Sequence, residues 1–225
     1  MRTQWLPVLL TLSLSTPALA SGVDIAWDNC LGEPGAVSLK SFACGTNAGQ
    51  ETMWVSFESS QPATTMGTLE VAIRFQTRSG VALPVWWDFE DFASCRRGAL
   101  SVDPEPPFET PICTRPTGGS TMPPFVVDRL DYQFPSVDVG TMVVITHVGA
   151  PLIANQRYLA CRFLLTHVKT SQCAGCSELA SVTVAGVRVA NMTITNAITQ
   201  NVALWQAGAT GTRNTSWSAL KRLYR

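Results

Sequence analysis

Between Leu69 and Gln76 the side chains alternate strictly: Leu69, Val71, Ile73 and Phe75 face one way, and Glu70, Arg74 and Gln76 face the other. Successive side chains of a strand point to opposite faces, whereas a helix repeats every ~3.6 residues. This stretch therefore reads as a half-buried antiparallel strand, with the apolar set in the core. The same period runs through 23–27, 37–43, 53–58, 125–132, 141–147, 157–168, 180–189, 191–197 and 201–205. Turn-forming clusters separate these runs: Glu33-Pro34-Gly35, Gly45-Thr46-Asn47, Ser59-Ser60-Gln61-Pro62 and Ser79-Gly80. About ten short strands with closely spaced turn signals predict an all-β fold, an antiparallel β-sandwich of jelly-roll or immunoglobulin-like type. No strand–helix alternation supports a parallel sheet.

Residues 99–124 break the pattern. Pro104, Pro106, Pro107, Pro111, Pro116, Pro123 and Pro124 crowd into this segment, and proline cannot donate to a sheet ladder. It reads as one long irregular loop. At the other end of the chain, Trp217, Leu220 and Tyr224 share a helical face. Thr215 or Ser216 can cap that helix, and Lys221, Arg222 and Arg225 complement its C-terminal dipole. The expected organisation is a signal segment over 1–20, a sandwich domain over 21–211 and a short C-terminal helix within 212–225. That final segment either packs on the sandwich or serves as a docking or sorting tag.

The signal reading rests on a basic Arg2, an apolar run from Leu6 to Leu14, and Ala18-Leu19-Ala20 as a small-residue cleavage site. The run is too short for a bilayer span. The mature chain is expected to begin near Ser21, to be exported and not to insert into a membrane. Lys plus Arg total 16, as do Asp plus Glu. Without a basic tract there is no electrostatic footprint for a nucleic-acid partner. Hydrophobic residues at 46 % with charged residues at 14 % exclude a disordered chain.

In an exported chain cysteines read first as disulfides. There are seven: Cys30, Cys44, Cys95, Cys113, Cys161, Cys173 and Cys176. Sequence proximity predicts Cys30–Cys44, Cys95–Cys113 and Cys173–Cys176. Cys161 is then left as a buried free thiol beside Leu159, Phe163 and Leu165. A zinc site would need a second ligand pair near the C-x-x-C, and a thioredoxin-like site would need a βαβ unit. Neither is present, so no metal or other cofactor is expected.

Chemistry has few footholds. His147 and His167 lie near strand ends on apolar parity and read as structural, and no G-x-S-x-G elbow exists. No catalytic residue is therefore assigned. The densest aromatic–acidic stretch is Trp86-Trp87-Asp88-Phe89-Glu90-Asp91. Trp86, Trp87, Asp88, Glu90 and Asp91 are the candidate ligand contacts, since aromatics beside acids suit a sugar. On a strand the two tryptophans would point to opposite faces, leaving one in the core. Asn191-Met192-Thr193 and Asn214-Thr215-Ser216 match the glycosylation sequon, a pattern common by chance.

Longer motifs run through Gly22-Val23-Asp24-Ile25-Ala26-Trp27-Asp28-Asn29-Cys30, Phe42-Ala43-Cys44-Gly45-Thr46-Asn47-Ala48-Gly49 and Leu83-Pro84-Val85-Trp86-Trp87. They continue in Cys95-Arg96, Cys173-Ala174-Gly175-Cys176, Trp205-Gln206-Ala207-Gly208, Thr212-Arg213-Asn214, Trp217, Lys221 and Leu223-Tyr224-Arg225. Together they resemble a family of uncharacterised secreted bacterial proteins. The resemblance covers nearly all of the chain after the signal segment. It implies bacterial export and a sandwich-like fold, and brings no activity, substrate or site residue. Members often carry one further cysteine after the C-x-x-C and another before the final motif; both are absent here, and Cys161 is additional.

The expected function is a non-catalytic binding or scaffolding protein outside the cell, at its surface or in the periplasm. The partner classes considered are a carbohydrate or another envelope protein. The alternatives are a carbohydrate-binding module using Trp86 or Trp87 and, behind it, a hydrolase using the neighbouring acids.

Overall fold

A computed structural model describes residues 21–77, 82–89, 94–103, 110–114, 126–133, 139–148, 151–189 and 192–206, with 126–133 and 139–148 described by their backbone. The strands are β1 (Gly22–Trp27), β2 (Leu39–Lys40), β3 (Gln50–Glu58), β4 (Gly67–Gln76), β5 (Leu100–Asp103), β6 (Val126–Gln133), β7 (Val139–Val148), β8 (Arg157–Thr166), β9 (Ala180–Val189), β10 (Met192–Ile194) and β11 (Val202–Trp205). They form two sheets. One runs β1-β3-β8-β5; the other runs β2-β11-β9-β4-β7-β6, with β10 on β9. Every named pairing is antiparallel except the short β2–β11 contact.

The expected all-β, disulfide-stapled sandwich is what the chain forms. Val23, Ile25, Met53, Val55, Phe57, Phe163 and Leu165 from one sheet join one core with Leu69, Val71, Ile73, Phe75, Val182, Val184, Val187 and Val189 from the other. In β4 the parity is as read: the four apolar residues are buried, Arg74 is exposed, and Glu70 and Gln76 are half-buried.

Three register shifts reset the alternation elsewhere, one of them in β6, where Asp128 is the extra residue. In β8, Val55 faces Cys161 while Ser56 faces Leu159, so Ala160 is the extra residue. A bulge opposes two residues to one and shifts the parity beyond it. Leu159 therefore leaves the Cys161 face, where the sequence had placed it. It packs with Cys30, Trp54 and Cys113 on the outer face of the four-stranded sheet. In β9 the register shifts between Ala72 and Ile73 of β4, and Ala185 is the extra residue.

Other differences are local. The segment 99–124 is not all loop, because Leu100–Asp103, just before the first proline, pairs with β8. The candidate strand 37–43 keeps only Leu39–Lys40, since Phe42 turns inward against Trp205 and Trp86. Beyond β10 the chain lines the free edge of β1: the Val23 N–H donates to the Asn196 carbonyl at 2.7 Å and that of Ile25 to Gln200 at 3.0 Å. The signal segment, the C-terminal helix and both sequon asparagines lie outside the described residues.

Candidate functional site

Of the residues proposed for ligand contact, Trp86, Trp87 and Asp88 are core. Residues Val85–Trp87 form a single 3-10 turn after Pro84, not a strand. Neighbouring side chains on such a turn do not alternate across a sheet, so Trp86 and Trp87 enter the interior together and both are fully buried. Trp86 stacks on Trp205 at 4.8 Å between ring centroids, and Trp87 lies 5.1 Å from Phe75. The Trp27 indole donates to the Leu204 carbonyl and that of Trp205 to the Cys176 carbonyl, which lets two of these rings sink without orphaned donors. Neither Trp86 nor Trp87 presents a face to a sugar. Asp88 is buried as well, and its carbonyl accepts from the Ser94 hydroxyl. Glu90 and Asp91 lie outside the described residues.

The same six cysteines are bonded as expected, in different pairs. The bonds are Cys30–Cys113, Cys44–Cys176 and Cys95–Cys173, spanning 83, 132 and 78 residues. Their Cα separations of 6.3, 5.7 and 5.9 Å fit disulfides. Proximity in sequence misled because strand pairing supplies the closure: β1 and β8 carry the 28–35 and 110–114 segments to one face, where Cys30 meets Cys113. Loops of about 100 residues also constrain the unfolded chain more than short ones, by ~4.7 against ~3 kcal/mol in a chain-entropy treatment. All six bonded cysteines lie outside the strands, while Cys161, unbonded and buried, lies within β8.

Two of the bonds land on the β8–β9 connector, which crosses between the sheets. This connector gathers polar contacts from both sides. From the β2–β3 loop, Asn47 accepts from the Ser171 N–H and hydroxyl, and the Gly49 carbonyl accepts from the His167 N–H. From the segment before β5, Arg96 donates to the carbonyls of Thr166 and Val168 and to the Thr170 hydroxyl at 2.6 to 2.8 Å. Arg96 is almost fully buried, and burial lowers its pKa to about 10.

Beside that connector lies a chain of charges that sequence patterning missed. Lys40 pairs with Asp28 and, at 2.5 Å, with Glu51; the other Glu51 oxygen lies 3.0 Å from His167 Nε2. His167 also stacks on Phe42 at 4.0 Å. Burial alone would lower the Lys40 ammonium, but Asp28 and Glu51 outweigh it and hold it above the ordinary lysine value. Asp28 at φ 69°, Lys169 at 57° and Gln206 at 57° are left-handed residues at this end of the sandwich. The chemistry available is that of a tethered carboxylate–imidazole pair, mostly enclosed. His147 lies in β7.

Asp24 forms a second buried site. It is fully buried on β1, accepts from the N–H groups of Thr199 and Gln200 at 2.8 and 2.7 Å, and lies 3.3 Å from Arg157. Burial raises its pKa, against the opposing pull of those N–H groups and of Arg157. Its sequence signal was a lone acid inside an apolar strand.

Comparison with known proteins found no family model, no curated protein and no solved structure that matches this chain. The three disulfides fit folding in an oxidising environment. Among the described residues no helix is long and apolar enough to cross a membrane, and no group of three or more His, Cys, Asp or Glu is placed to hold a metal ion.

Proposed function

We propose that this chain is a secreted bacterial protein, released from its signal segment near Ser21, that acts outside the cytoplasm as a non-catalytic binding or scaffolding sandwich. One observation carries the reading: all three disulfides tie connecting segments, and none ties a strand. Loops held on a rigid sheet frame are where binding surfaces are built. The covalent bonds are spent on fixing those loops, and the aromatic residues that a sugar site would use are spent on the interior. The apolar leader and the resemblance to secreted bacterial proteins support export.

The test is a capture experiment with the full chain exported from a bacterial host. Exported protein should have lost about its first 20 residues by intact mass. Immobilised oxidised protein should retain an envelope component that reduced and alkylated protein does not. Protein found reduced in the cytoplasm would overturn the export reading. Equal retention by oxidised and reduced protein would overturn the loop-binding reading.

A further inference from the structure

The turn Cys173-Ala174-Gly175-Cys176 carries two disulfides on four residues, and each leads to a different part of the chain. Cys173 holds Cys95, before β5; Cys176 holds Cys44, in the β2–β3 loop. Residues 174–177 form a turn, and Cys-x-x-Cys is the spacing at which neighbouring thiols form a reversible disulfide in oxidoreductases. Cys44 and Cys95 are half-exposed, whereas Cys173 and Cys176 are buried behind them. An incoming thiolate therefore meets the outer sulfurs first.

We propose that this turn is a redox-sensitive clasp, in which one equivalent of a dithiol reductant converts the two long-range bonds into a single Cys173–Cys176 disulfide and frees Cys44 and Cys95 together. A reductant thiolate attacks Cys44 Sγ, forms a mixed disulfide there and expels the Cys176 thiolate. Cys176 attacks Cys173 Sγ, and Cys95 leaves as thiolate. The second reductant thiol then resolves the mixed disulfide on Cys44 and leaves oxidised. Two electrons enter, one protein disulfide is lost, and one is relocated; attack first at Cys95 runs the same steps from the other side and gives the same product. Each step is ordinary thiolate attack on a disulfide sulfur.

Neighbouring groups fit this exchange. Gln206 Nε2 lies 3.2 Å from Cys44 Sγ and 3.9 Å from Cys176 Sγ. Its N–H groups are placed to donate to the Cys44 thiolate left at the end. Cys161 stays out, being fully buried in β8 with its thiol pushed far above the ordinary range by burial and by Asp103. Cys30–Cys113 lies on the outer face of the four-stranded sheet, with Trp54 and Leu159. Relocation unfastens the β2–β3 loop and the 94–99 segment from the connector, leaving the non-covalent contacts, among them those of Asn47, Gly49 and Arg96 and the stacking of Phe42 on His167.

The oxidised full chain is treated with limiting dithiothreitol under native conditions, quenched in acid and alkylated, and the singly reduced species is mapped by peptide mass. The expected product has Cys44 and Cys95 alkylated, Cys173 joined to Cys176 and Cys30 joined to Cys113. Alkylation of Cys44 with Cys176, or of Cys95 with Cys173, while the other bond persists would overturn the proposal. In a Cys95→Ser variant the freed Cys173 should displace Cys44, so that Cys44 is the residue alkylated. Alkylation of Cys173 there, with Cys44–Cys176 intact, would count against it equally.

Discussion

The guanidinium carbon of Arg96 lies 4.3 Å from the centroid of the Trp86 ring. One side of this buried cation is thus an aromatic face, and its edge is filled by the last carbonyl of β8 and by a carbonyl and a hydroxyl of the β8–β9 connector. Arg96 links the aromatic interior to the segment that receives two disulfides. Arg96→Leu should cost on the order of 3 kcal/mol or more, because buried carbonyls lose their donors along with the stacking. Arg96→Lys should recover only part of this, since a single ammonium lacks the planar fork. Urea unfolding of the three proteins checks the order; a leucine variant as stable as the parent would refute the role.

The register of β4 is tested by one pair of neighbours. Ile73 is fully buried and Arg74 exposed. Ile73→Ala should lose ~2–5 kcal/mol through transfer and cavity terms, while Arg74→Ala should stay within ~0.5 kcal/mol. Comparable losses at both positions would contradict the parity.

Asp24 gives the fold a pH dependence. Its folded pKa is raised above 3.8 by burial, so the folded chain holds the carboxyl proton more tightly than the unfolded one. Its contribution is fully present below that unfolded value and is lost as pH rises through the folded pKa. Asp24→Asn keeps an oxygen for the Thr199 and Gln200 N–H groups and cannot titrate. Relative to that variant, the parent should lose stability between about pH 4 and pH 7. Unfolding free energies at both pH values measure this, and a parent that gains on the variant would show that the Arg157 attraction outweighs burial.

Gly175 has φ +98°, and a Cβ there would fall 2.0 Å from the Pro84 Cβ. Gly35 has φ +88° with nothing within 4 Å. Both glycine-to-alanine changes strain the backbone by about 1 kcal/mol, but only Gly175→Ala also forces the C-x-x-C turn off Pro84. Its melting temperature should fall clearly further than that of Gly35→Ala. Equal losses would mean that the turn does not rest on Pro84.

Much of this architecture was legible because period two is a direct imprint of a sheet with one wet face. Leu69 to Gln76 carries that imprint without interruption, and its parity is correct. The imprint fails where the backbone slips. Ala160 and Ala185 are bulge residues, and nothing in their side chains announces the extra residue; in β9 the only sign was the gap between Val182, Val184 and Val187, Val189. Trp86 and Trp87 would point to opposite faces on a strand, but Pro84 starts a 3-10 turn that sends both indoles inward. The charge chain from Asp28 to His167 was hidden because its members come from four separate segments. That most of the cysteines bond was legible from the compartment the sequence leads one to expect, whereas pairing depends on which loops the sheets bring together.

The most direct measurement is the disulfide map of the exported, unreduced protein, obtained by proteolysis under conditions that prevent exchange. The account predicts Cys30–Cys113, Cys44–Cys176 and Cys95–Cys173, with Cys161 free and alkylated only after denaturation. A map showing Cys30–Cys44 and Cys95–Cys113, or a bonded Cys161, would contradict it.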